Sequence, residues 1–153
     1  MEWCLYCFMG AAAGMDLLKR EIPCWLYWIF GVAGAAYRII SISAPENGGF
    51  ISVLSRTAES LAVGLGLLLI SRIAEGAVGE GDGWFFVVAG FYLSWKINLG
   101  LLCYGLFLCS IGGIILMLWG RWKGVSARKM KVPFLPFVCL GCILMAAGNM
   151  WEV

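Results

Sequence analysis

Histidine is absent from this 153-residue chain, and only 13% of its residues are charged. The first absence removes Ser-His-Asp and Cys-His catalysis, histidine proton shuttling and histidine metal ligation. Acid–base chemistry is left to carboxylates, Lys, Tyr or Cys. The shortage of charge excludes a soluble domain, which would carry about a quarter charged residues. The alternating pattern of a membrane barrel strand is missing too.

What is present is apolar: 62% of the residues are hydrophobic and the mean hydropathy is +0.90. Spanning helices satisfy their own backbone hydrogen bonds in lipid. At roughly 20 residues per span, the sequence predicts an all-α, polytopic bundle of about six transmembrane helices. One membrane-embedded domain over 1–153 is expected. The apolar runs are 2–18, 23–42, 50–72, 84–95, 97–119 and 133–151. Run 84–95 is too short to cross unaided, and only Lys96 separates it from the next. No basic segment precedes the apolar start Trp3 to Met15, so a cleavable signal peptide is not expected.

Seven cysteines include two CxxC pairs, Cys4/Cys7 and Cys139/Cys142. Both pairs fall inside apolar helices at opposite ends of the chain, where thiolates have no neighbouring charge to stabilise them. They read as small packing residues rather than zinc ligands, and no metal or cofactor is expected. Nor does anything point to a nucleic-acid partner.

The basic residues set an orientation. Lys19, Arg20, Arg72, Arg121, Lys123, Arg128, Lys129 and Lys131 fall in loops one, three and five, against Arg38, Arg56 and Lys96 on the other side. The positive-inside rule assigns the first set to the cytoplasm and both chain ends to the outside. Asp16, at the end of the first helix, and Asp82, in the third loop, then share the cytoplasmic face. Around Asp82 the glycines Gly76, Gly79, Gly81 and Gly83 argue for an irregular loop rather than a helix. Gly10-Ala-Ala-Ala-Gly14 is a small-xxx-small motif that would let another helix approach just before Asp16. Arg56 and Glu59, three apart on one helix face, are expected to pair. Two carboxylates at one depth cannot both ionise cheaply; they can share a proton and hydrolyse a peptide without histidine.

These residues resemble the type IV prepilin peptidases, membrane aspartic peptidases with a GxGD signature. Asp16, Lys19, Arg20, Ile22 and Pro23 match the family's first motif, Gly79, Gly81 and Asp82 its second, and Val132-Pro133-Phe134-Leu135-Pro136-Phe137 a segment that opens the last helix. The resemblance implies that Asp16 and Asp82 are catalytic and that the substrate is a prepilin or pseudopilin, a short leader followed by a hydrophobic helix. It further implies cleavage at the cytoplasmic face of the inner membrane. The chain is similar to the compact, peptidase-only form of tight-adherence (Flp-type) pilus systems, without an N-methyltransferase segment. It departs from the family at Trp84, where many members carry Lys. Glu80 and Glu75, with Lys19 and Arg20, are candidates for substrate contact or for tuning the pair, Glu80 by repelling Asp82. Other readings are a GxGD peptidase for preflagellin-like precursors and a small transporter or assembly subunit. Oligomeric state is not legible.

Overall fold

The computed structural model describes residues 2–19, 22–42, 50–74, 79–122 and 133–148. Six α-helices and no strand lie within them: α1 (Glu2–Lys19), α2 (Cys24–Ile42), α3 (Phe50–Ile73), α4 (Glu80–Tyr92), α5 (Trp95–Trp122) and α6 (Leu135–Ala147). Three carry apolar stretches long enough to cross a bilayer, at Cys24–Ser41, Phe50–Ile73 and Trp95–Trp122. Shorter apolar stretches lie at Trp3–Leu18 and Leu135–Ala147.

The bundle is organised around its shortest members. α4, 13 residues and about 20 Å long, packs on α1, α2, α3 and α5. It therefore buries several faces at once: Gly83, Phe85, Phe86, Val88, Ala89 and Gly90 are all buried. Phe85 stacks on Phe8 of α1 with ring centroids 5.1 Å apart, and Phe86 meets Phe85 edge-on at 5.4 Å. These rings form the centre of a core completed by Leu26, Leu101, Leu135 and Val138.

Two boundaries differ from the sequence expectation. Helix α4 begins at Glu80 rather than after Asp82, so Gly81, Asp82 and Gly83 are helical. Each glycine costs about 1 kcal/mol of helix propensity. Close packing offsets that cost, and the first turn holds Glu80 and Asp82 where the helix dipole favours acids. The second difference is at the other end. The chain breaks at Leu93–Ser94, ahead of Lys96, with Leu93 extended at φ −100° and ψ 159°.

The break is held by side chains from neighbouring helices. Arg38 of α2 donates from Nε to Phe91 O at 2.8 Å and from Nη2 to Leu93 O at 3.0 Å. Ser60 of α3 donates to Leu93 O at 2.7 Å, and Tyr92 donates back to Phe30 O at 2.7 Å. Buried Asn98 of α5 donates to Ser60 O and Phe86 O, both at 3.1 Å, tying α3, α4 and α5 together. Arg38, counted at first only as a topology signal, is thus a helix C-terminal clamp.

The close helix approach lies elsewhere than Gly10 and Gly14. Nothing in the described residues comes within 4 Å of a Cβ built at either. Tight contacts join α3 to α4, among other pairs: a Cβ at Gly64 would overlap the Val87 backbone, one at Gly83 would lie 2.7 Å from Leu68 Cδ2, and one at Gly90 2.8 Å from Ser60 O. Arg56 and Glu59 are both exposed on α3. Gly64→Val is expected to separate α3 from α4 and destabilise the protein by about 1–3 kcal/mol or more. Gly66→Ala, where nothing lies within 4 Å, should be neutral or stabilising by up to about 1 kcal/mol; SDS-driven unfolding in bicelles measures both.

Candidate active site

Four chain segments meet at one end of the bundle: the last turn of α1, the entry to α2, the first turn of α4 and the first turn of α6. Asp16 stands on α1, half-buried. Its Oδ2 accepts a hydrogen bond from the backbone N–H of Leu135 at 3.2 Å. Leu135 is the first residue of α6, whose N-terminus has no side-chain cap of its own and has Pro136 in its first turn. Asp16 therefore acts as that cap from another helix, and the partial positive charge of the helix end complements the carboxylate. The Pro-Phe-Leu-Pro segment around Leu135 acquires a physical role here: it ends the preceding chain and aims a free N–H at Asp16.

Asp82, half-buried, is the third residue of α4, and its N–H bonds to Gly79 O at 3.1 Å. A Cβ at Gly79 would lie 3.1 Å from Asp82 Oδ2, so a side chain there would crowd the carboxylate. A Cβ at Gly81 would meet Tyr27 Oη at an ordinary 3.4 Å and Ile22 Cδ1 at 3.9 Å. The two glycines of the motif thus do different things. Gly79 leaves room for Asp82, while a Cβ at Gly81 would be accommodated; the contribution of Gly81 is its carbonyl, which accepts from the Tyr27 hydroxyl at 2.9 Å. Pro23 opens α2, its carbonyl taking the N–H of Leu26 at 3.0 Å.

Asp16 and Asp82 stand at the same end of the bundle, near enough for the charge of one to act on the other. Asp82, in the turn ahead of the apolar run, is pushed up from the ordinary carboxylate range to about 6, first by burial and second by the negative charge of Asp16. Glu80 is exposed and is not among the causes of the Asp82 shift. Lys19 closes α1, whereas Arg20 and Glu75 lie outside the described residues. No group of three or more Cys, Asp or Glu side chains among the described residues is arranged to hold a metal; the two CxxC pairs lie on α1 and α6.

One residue at the site, Tyr27, escaped the sequence reading; its signal is weak, a phenol one turn after Pro23. Leu135 was read only within the segment that opens the last helix, because a backbone N–H leaves no mark of its partner in the sequence. Asp16→Leu is expected to strand that N–H and cost about 1 kcal/mol, whereas Asp16→Asn keeps an acceptor and stays near wild-type stability; unfolding in mixed micelles separates the two.

Comparison with known proteins identifies the family. Residues 3–117 match the type IV leader peptidase family. A prepilin leader peptidase/N-methyltransferase of Bacillus subtilis (strain 168) is 31% identical over 110 residues. That alignment covers 72% of this chain and 40% of the relative, so the chain spans well under half of that protein's length. No solved structure matches. With its apolar helices and a family match over most of its length, the chain is an integral membrane protein and belongs to the type IV leader peptidase family.

Proposed function

We propose that this protein is an aspartic endopeptidase that removes the leader peptide from prepilin-like precursors at the cytoplasmic membrane face, with Asp16 and Asp82 as its catalytic pair. The observation that carries the reading is electrostatic: carboxyl groups from α1 and α4 lie at one end of the bundle, close enough for one to shift the other. Family membership supports the reaction class, and the likeness to the prepilin leader peptidase/N-methyltransferase of Bacillus subtilis supports the substrate class. The cytoplasmic orientation rests on the excess of Lys and Arg in loops one, three and five.

The division of labour follows from the surroundings. Asp82, whose carboxyl is pushed toward its protonated form by burial, gives its proton to the scissile carbonyl oxygen. Asp16, beside the α6 N-terminus, takes a proton from water as the water oxygen bonds to the carbonyl carbon. A gem-diol results, with Asp16 protonated and Asp82 ionised. Asp16 then passes its proton to the leaving nitrogen, the C–N bond breaks, and a diol hydroxyl returns a proton to Asp82. Each cycle restores the starting protonation, as general acid–base catalysis by a carboxyl dyad requires.

Asp16→Asn and Asp82→Asn should each abolish leader removal from a prepilin-type precursor in vesicles while leaving the protein folded; wild-type rates in either variant would sink the assignment. The pH dependence has a defined sign. A carboxyl raised to about 6 holds its proton below that value and loses it above. The rate should therefore fall as pH rises through about 6, and infrared titration of the Asp82 carboxyl band should shift to lower pH in Asp16→Asn.

A further inference from the structure

A groove of about 560 Å³ runs between α2 and α4. Its shape follows from where the two helices are pinned. At Gly34 they nearly touch, since a Cβ there would lie 2.7 Å from Phe91 Cβ. One turn nearer the aspartates, at Gly31, the same atom would meet Val88 Cγ2 at 3.7 Å. Another turn on, the Tyr27 phenol spans the gap to Gly81 O. The helices diverge toward Asp82, and the groove between them is a wedge that is widest at the candidate active site.

The lining is almost wholly apolar. Trp28, Val32 and Ala35 form one wall, and Trp84, Val87 and Phe91 the other. Trp28 and Val32 are strongly exposed, at 73% and 62%, on a helix that is itself apolar enough to span. Glu80 is the one charged group in the lining, and it sits at the wide end beside Gly81. From Glu80 to Phe91 the wall rises about 17 Å, or three helical turns. Such a surface suits one face of an apolar helix with a positive charge at the end nearest Glu80.

We propose that the wedge between α2 and α4 seats the hydrophobic helix of the precursor, with its cationic end beside Glu80. The proposal rests on the peptidase reading above. It adds where the precursor is held and which residues grip it. A helix lying in the wedge ends two residues from Asp82 along α4, so the peptide just before that helix crosses the carboxyl pair. The groove thereby sets the position of the cut by measuring from the start of the apolar segment.

Photo-crosslinking tests this in the full chain reconstituted in phosphatidylcholine–phosphatidylglycerol vesicles. Benzoylphenylalanine replaces Val32 in the groove or, in a second protein, Phe107, which is exposed on α5 and outside the groove. The probe is a synthetic peptide with a lysine-bearing leader and about 20 following apolar residues, held by the Asp82→Asn background. Peptide adduct should be several-fold higher at position 32 than at position 107, should fall when the leader lysine becomes glutamate, and should recover when Glu80→Lys is added. Equal adduct at both positions, or lipid adduct alone at position 32, overturns the proposal. Cleavage of the same peptide by the unsubstituted chain is measured in parallel. Cleavage without excess adduct at position 32 overturns the groove assignment alone, adduct without cleavage overturns the peptidase reading alone, and neither signal overturns both.

Discussion

A 13-residue helix inside an apolar bundle cannot carry its terminal peptide groups to water, and unsatisfied groups in that setting cost several kcal/mol. The Arg38 guanidinium meets that constraint for α4. It reaches from α2 to the carbonyls of Phe91 and Leu93, with Ser60 assisting from α3. With its C-terminal end fixed, α4 is laid against α3 along a seam that only Gly64, Gly83 and Gly90 permit. Its first turn, and with it Asp82, is then positioned by rigid packing rather than by a swinging loop. Removing the clamp would be felt at the opposite end of the helix, at the carboxyl group.

The same arrangement explains how two acids separated by 66 positions come to influence one another (82 − 16). Asp16 is held through the N-terminus of α6, and Asp82 through the packing of α4. Burial acts on Asp82 more than the neighbouring charge does. A site of this kind gains its chemistry from where the helices end. Each acid occupies a helix terminus, its own or a partner's, so the electrostatics are set by main-chain geometry that few side-chain substitutions disturb.

Much of this architecture was legible in the amino acids because lipid leaves the backbone few options. Six apolar runs read from hydropathy correspond to six helices, and Asp16 and Asp82 stood out as candidates because membrane-depth acids need a reason. The final run, read as 133–151, is described only to residue 148. The first turn of α4 was misread as a loop because local propensity was weighed without tertiary contact: Gly83 is a poor helix former alone, yet it is what fits against Leu68. The Gly10–Gly14 spacing misled in the opposite sense, being a packing pattern with no helix packed on it among the described residues. Arg38 was read only as a charge that sets topology, and Tyr27 was not singled out, since hydropathy carries no information about which carbonyl a long side chain will reach.

The hydrogen bond from Leu135 to Asp16 joins the first helix to the last. A ribosome makes α1 long before it makes α6, so during synthesis the Asp16 carboxylate waits for a partner more than a hundred residues away. A partly translated chain would hold both acids and still lack the backbone N–H that α6 presents to Asp16.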